Sequence, residues 1–250
     1  MTDYSDYFGP EGLRVRGTVI VVPGRGETRA TYARFGRRLA ADAYRVRVID
    51  APDLAEDLTG LAARLTDAAE DTAAEDGAVR PLVLVGADSG AAAIAALLDR
   101  APGTQADAVV LAGLPGRTPG TGATAGTWDE ELDVRTSCPA HRGTLTQDPE
   151  VRRGSLGDAI PDTVLAAAYD SEAAVPALFL VGDADPLADH EALARTAKSL
   201  PSARLSVVHG AHHDVLNDLQ HRSVAAEVIT FLETLRNELR PLITVRSSAW

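Results

Sequence analysis

Residues Leu82–Gly90 run Leu-Val-Leu-Val-Gly86-Ala87-Asp88-Ser89-Gly90. An apolar run closing on two glycines, each two positions from a central residue, is the pattern of a sharp strand–turn–helix elbow. Such an elbow projects its central side chain and sets the following N–H over the reacting atom. Here the centre is Asp88, where serine is the usual nucleophile. An Asp beside a helix start is also a common N-cap, so the flanking glycines and the apolar strand carry the functional reading. Two later loops supply acid–base candidates. Val181–Leu187 holds Asp183 and Asp185, and Val207–Asn217 holds His209, His212 and His213. A carboxylate from the first can orient an imidazole from the second as general base. Each Asp alone reads as a turn residue or cap, and each His alone as structural or exposed. Their order after the elbow makes the joint reading stronger than its parts. An earlier loop, Pro23-Gly24-Arg25-Gly26-Glu27-Thr28, has glycines that let backbone N–H groups approach an anion. By itself it reads equally as an ordinary turn.

These loops need strands to hold them. Short, nearly all-apolar runs occur at Thr18–Val22, Val46–Ile49, Leu82–Val85, Ala108–Leu111, Leu178–Val181 and Leu205–Val208. That is the signature of parallel strands covered on both faces. Helical patterns lie between or after them, at about Thr31–Asp42, Leu54–Glu75, Gly90–Arg100, His190–Leu200 and Val215–Arg240. Strands alternating with helices predict an α/β fold with a doubly wound, mostly parallel sheet and the site at the strands' carboxyl ends. From Leu114 to about Ala174 the rhythm breaks. Residues 114–174 are expected to form a small cap within a single domain spanning 1–250. The turn-rich stretch Gly116–Gly126 is expected to be its mobile part, with Trp128 anchoring its end.

Composition bounds the partners. The net charge of −12 repels phosphate backbones and anionic membrane surfaces, so nucleic-acid binding is not expected. No apolar run reaches the length of a membrane span, and the N-terminus lacks the basic and apolar regions of a signal peptide. One cysteine, Cys138, excludes an intramolecular disulfide framework. A cytoplasmic protein acting on a small molecule is the expectation. The tail Pro241–Trp250 is apolar enough to dock on its own domain or on a twin chain, which would make a homodimer.

The order of elbow, late acid and last histidine resembles the α/β-hydrolase superfamily, and most closely its monoacylglycerol-lipase, lysophospholipase and serine-aminopeptidase-like branch. There the first loop reads HG-x-GE-H with a tyrosine soon after; here it is Pro23-Gly24-Arg25-Gly26-Glu27-Thr28 with Tyr32. There the last loop reads GA-x-H-E-x-x-N-E; here it is Gly210-Ala211-His212-His213-Asp214-Val215-Leu216-Asn217-Asp218. The resemblance implies His213 rather than His212 as the catalytic imidazole and Asp185 as its acid. It also implies the N–H groups of Arg25 and Ser89 as oxyanion donors, and no organic cofactor or metal. The elbow departs from the pattern, with Asp88 in the serine place. An aspartate there resembles haloalkane and fluoroacetate dehalogenases and epoxide hydrolases.

Three chemistries follow. Asp88 attacks carbon to form an ester that His213 and water hydrolyse. Alternatively Ser89 is the nucleophile of an elbow shifted by one residue, flanked by Ala87 and Ala91. In the third, the site does no covalent chemistry: Asp88 acts as acid or base, or the fold serves as a non-hydrolytic, biosynthetic or ligand-binding member. The CxxH spacing Cys138–His141 lacks partner ligands for zinc, and His141 reads first as a surface residue, with a reach into the site as the alternative. Arg135, Arg142, Arg152 and Arg153 read as solvated or paired, or as a grip for a substrate carboxylate.

Overall fold

A computed structural model describes residues 4–54, 58–71, 78–100, 106–117, 126–172 and 174–248. The strands are β1 (Ser5–Tyr7), β2 (Gly17–Val22), β3 (Tyr44–Val48), β4 (Leu82–Ala87), β5 (Ala108–Ala112), β6 (Ala177–Gly182) and β7 (Ala203–Val208). The helices are α1 (Ala33–Ala41), α2 (Leu58–Asp71), α3 (Ser89–Arg100), α4 (Trp128–Arg135), α5 (Pro139–Gln147), α6 (Asp162–Tyr169), α7 (His190–Ser199) and α8 (His221–Arg236).

The strands form one open sheet in the order β1-β3-β2-β4-β5-β6-β7. Only β1 is antiparallel, pairing Ser5 with Val48. All six apolar runs became strands. Each of β2, β4, β5 and β6 is buried along its whole length, as expected of parallel strands with helices on both faces. One face packs Ile20, Leu84, Leu111 and Phe179 against α2, α3, α6 and α7. The other packs Val21, Val85, Val110 and Leu180 against α1 and α8.

The strand order reverses between β2 and β4, which lie side by side. The glycine-rich loop leaves β2 and the elbow leaves β4, so both stand at the switch point where open α/β sheets form their crevice. The late loops leave β6 and β7 at the same end. Topology alone therefore gathers the residues singled out above.

Two differences from the sequence reading have clear causes. The helix expected from Val215 begins at His221, because Asp214–Asp218 is a capped loop: Asp218 accepts from the N–H groups of His212 (2.7 Å) and Leu219 (2.8 Å). In the tail, Leu242, Ile243 and Val245 are exposed to solvent rather than buried. Most of the stretch Gly116–Gly126, expected to be mobile, lies outside the described residues. Among the described residues no helix is long and apolar enough to cross a membrane.

Candidate active site

Asp88 sits between β4 and α3 with φ = +48°, a left-handed conformation that costs a non-glycine residue energy. Its N–H donates to Ala112 O (2.9 Å), and its carbonyl accepts from Ala91 (3.1 Å) and Ala92 (3.2 Å). The flanking glycines allow this turn to close. A Cβ on Gly86 would lie 2.6 Å from Ala91 N, and one on Gly90 would lie 2.4 Å from Val22 O. The elbow is thus wedged between its own helix and the neighbouring strand β2.

His213 bridges two carboxylates. Its Nε2 lies 3.1 Å from Asp88 Oδ1 and its Nδ1 lies 2.9 Å from Asp185 Oδ2. All three side chains are buried. Asp185 also accepts the N–H of Leu187 at 2.9 Å, which fixes its own orientation. The neighbouring histidines point elsewhere: His212 pairs with Asp218 (3.0 Å), and exposed His209 pairs with Asp183 (2.8 Å). Burial pushes the His213 imidazole towards its neutral form. Asp185 and Asp88 outweigh that and raise its pKa to about 10. Burial likewise pushes the Asp88 carboxyl up, but Arg25 and His213 outweigh it and hold the carboxyl well below the ordinary range.

Arg25 supplies what the sequence did not disclose. Its guanidinium grips Asp88 with two prongs, Nη2 to Oδ1 at 2.7 Å and Nε to Oδ2 at 2.9 Å. Its backbone N–H, expected to be an oxyanion donor, points at Asp88 Oδ2 at 2.8 Å. A carboxylate reaches further than a serine hydroxyl and fills the space in front of that N–H. Arg25, His213, Asp88 and Asp185 together form a compensated set of two positive and two negative charges. Ser89, the alternative nucleophile, is buried in the first turn of α3, and the imidazole bond goes to Asp88 instead.

A cavity of about 460 Å³ opens beside this set. Arg25, Gly26, Ser89, Arg152, Asp158 and Ile160 are among its walls, but Asp88 is not. Arg25 therefore stands between the elbow carboxylate and the cavity.

The 126–157 region is tied to the site loops. Arg135 Nη2 donates to Arg25 O (2.7 Å), Asp214 N–H donates to Arg135 O (2.8 Å), and Arg152 N–H donates to Gly26 O (3.0 Å). A Cβ on Gly26 would fall 1.8 Å from Ser155 Oγ, so the two segments touch closely. Arg135 was read as solvated or paired. It is fully buried, held by Glu131 (2.9 Å) on its own helix and lying 3.5 Å from Asp214. His141 is buried rather than on the surface, because Asp214 draws its Nε2 to 2.9 Å. Ligand atoms of Glu27, His141 and Asp214 all lie within 4.8 Å of one another. That is a metal-like grouping, but Arg135 already supplies its positive charge. Burial pushes the Glu27 pKa up to about 7, with Asp214 adding to the shift; its carboxylate accepts from Gly24 N–H (2.9 Å) and from the Tyr32 hydroxyl. Cys138 stays outside this group, its Sγ 3.5 Å from Arg34.

A family model described as serine aminopeptidase, S33, matches residues 14–220. No curated protein sequence matches the chain. Among solved structures, a monoacylglycerol lipase from Paleococcus ferrophilus superposes with a TM-score of 0.70 at 18% identity, covering 93% of this chain and 98% of that one. A soluble variant of the Saccharomyces cerevisiae monoglyceride lipase, in complex with a substrate analog, gives 0.72 at 15% identity over 92% and 91%. An esterase from a Rhodococcus species gives 0.63 at 20% identity over 93% and 94%. At these identities the likeness is one of fold.

Proposed function

The chain belongs to the serine aminopeptidase S33 family, and from that premise we propose that it is a hydrolase whose elbow carboxylate, Asp88, is the nucleophile. The observation that carries this reading is His213, held between Asp88 at 3.1 Å and Asp185 at 2.9 Å. The substrate is a small or medium organic molecule, sized by the cavity of about 460 Å³. A carboxylate attacking an ordinary ester would give a mixed anhydride. Attack on an alkyl carbon bearing a halide or epoxide oxygen gives a stable ester, so an alkyl electrophile suits Asp88.

The sequence of events follows from the charges. Once Arg25 withdraws from Oδ1, that oxygen bonds to the substrate carbon, and the halide or epoxide oxygen departs with the bonding pair. Asp88 is now a neutral ester, so His213 keeps only one anionic partner. Its pKa falls from about 10 towards the ordinary imidazole value, and it releases a proton, to solvent when a halide has left or to the ring oxygen when an epoxide has opened. The neutral ring takes a proton from water, whose oxygen attacks the Asp88 carboxyl carbon. Oδ2, already 2.8 Å from the Arg25 N–H, carries the tetrahedral oxyanion, and the Ser89 N–H is the proposed second donor. Collapse expels the alkoxide and His213 returns the proton to it; the acid proton then left on Asp88 passes to His213, restoring the carboxylate and the imidazolium. Asp185 holds the ring throughout.

The second reading is a non-hydrolytic member of the fold, favoured by one observation: both Asp88 oxygens are already engaged by Arg25. Trapping separates the two. His213→Gln should accumulate an ester, because alkylation needs no base and hydrolysis does. Incubated with 1-bromobutane, 1,2-epoxybutane and 2-bromobutyrate, the variant should gain adduct mass on the peptide bearing Asp88. A serine-directed phosphonate should leave Ser89 unlabelled. Labelling of Ser89, with ester turnover lost in Ser89→Ala, would transfer the role to Ser89. No adduct with any reagent would leave the non-hydrolytic reading standing.

A further inference from the structure

The cavity meets a cation before it meets the elbow. Arg25 shows the cavity one edge of its guanidinium and Asp88 the other, and its side chain is 13% exposed. Its third nitrogen, Nη1, donates to Asp158 O at 2.7 Å. The same Asp158 takes Arg152 on its carboxylate at 3.1 Å, so one residue draws two arginines to the cavity wall. Three acidic residues of this wall, Asp53, Glu150 and Asp158, sit at its rim and are exposed, as is Arg152; the fourth, Glu27, is buried, its carboxylate taken up by Gly24 N–H and the Tyr32 hydroxyl and its pKa pushed up to about 7 by burial. Rim charges are screened by solvent, whereas the guanidinium at depth acts in a lower dielectric. The deep end of the cavity therefore presents the Arg25 guanidinium, although the whole chain is acidic.

We propose that Arg25 is the recognition group for a carboxylate-bearing substrate, which takes the arginine fork away from Asp88. The fork's fit to a planar carboxylate is displayed by Asp88 itself, gripped through two nitrogens at 2.7 and 2.9 Å. The exchange keeps every buried charge partnered: Arg25 passes from one carboxylate to another, and Asp88 retains His213 and the Arg25 N–H. A neutral molecule offers no such exchange, and moving Arg25 for it would strand a buried charge. The substrate's own anion thus uncovers the nucleophile. Leu54 and Ile160 line the cavity and suit a short aliphatic chain. The consequence for catalysis rests on the reading of Asp88 as nucleophile; the binding itself does not.

Equilibrium titration with butyrate and butyramide, which cannot alkylate, tests the exchange. Butyrate should bind the native protein and butyramide should not. Asp88→Asn removes the internal competitor and should tighten butyrate at least tenfold. Arg25→Gln and Arg25→Lys should each weaken it at least tenfold, the lysine because an ammonium cannot fork. If Arg25→Gln fails to fold, Arg25→Lys carries the comparison. Combining Asp88→Asn with Arg25→Lys should leave butyrate weak; tight binding there would mean that removing a negative charge suffices, and the fork is not the recognition group. Equal binding of acid and amide, or no tightening in Asp88→Asn, would also overturn the proposal. Loss of the butyrate pattern while His213→Gln still traps an adduct sinks this inference alone. An intact pattern with no adduct sinks the hydrolase reading alone.

Discussion

An aspartate in a serine's place changes more than the nucleophile. Its negative charge raises the pKa of the imidazole beside it, so His213 is stored as imidazolium until Asp88 is neutralised. A general base must be neutral to work, and in the proposed reaction the alkylation of Asp88 makes it so. Titration of the His213 ring by NMR should show it still protonated at pH 8, and Asp88→Asn should lower its pKa. An unchanged pKa in that variant would detach Asp88 from the imidazole. The linkage to stability has a definite sign. A folded pKa raised from the ordinary imidazole value of 6.5 to about 10 contributes stability that is fully present below about pH 6.5 and is lost as pH rises through about 10. Asp88, depressed in the fold, contributes stability above the ordinary carboxylate range that is lost in acid. Alkaline unfolding should therefore begin at lower pH in the native protein than in a His213→Gln variant measured relative to its own neutral plateau.

The elements owe their legibility to burial. The parallel strands are apolar on both faces and read directly from the sequence, as did the helices α1, α3 and α7 between them. Strand β1 escaped because Ser-Asp-Tyr at a sheet edge has no apolar run. Helices α4 and α5 escaped for a different reason. They bury Glu131, Arg135 and His141, so their inward faces carry charge rather than an apolar stripe. The grouping of Asp88, His213 and Asp185 was legible because the glycines around Asp88 and the last histidine stand in fixed positions on the chain. The Arg25 clamp was not, since nothing in Pro23–Thr28 says where a long side chain folds back. Two alanine substitutions check how the elements hold the elbow. Gly90→Ala would press a methyl to 2.4 Å from Val22 O and 2.6 Å from Pro23 O, and should cost several kcal/mol, on the order of 3. Gly60→Ala lies on an exposed turn of α2 with nothing within 4 Å of its Cβ, and should add about 0.5–1 kcal/mol. Chemical denaturation of the two variants should move in opposite directions; a neutral Gly90→Ala would mean that the elbow is not wedged against β2.

Across the whole molecule, the site is where topology and charge converge. The chain is strongly acidic, yet Arg25 and Arg135 are drawn inward to serve carboxylates at the switch point of the sheet. The 126–157 region, expected to belong to a cap, is bolted to both site loops through Arg135, Asp214 and Gly26. The exposed apolar tail contributes nothing to this core. Deleting residues 241–250 should leave the thermal midpoint within about 2 °C of the native value, since the apolar side chains Leu242, Ile243 and Val245 are exposed. If two copies pair through that tail, the deletion should abolish the pairing in sedimentation while sparing the fold; a collapse in thermal stability would show that the tail packs on its own domain after all.

The most direct measurement of Asp88's role is a single turnover in ¹⁸O-water with enzyme in excess over an alkyl electrophile such as 2-bromobutyrate, followed by mass analysis of the Asp88 peptide and the product. Water attacking the carboxyl carbon of an enzyme ester leaves ¹⁸O in Asp88, while the product alcohol takes its oxygen from the enzyme. The expected result is therefore labelled Asp88 and unlabelled first-turnover product. Labelled product with unlabelled Asp88 would mean that water attacks the substrate directly, and Asp88 would not be the nucleophile.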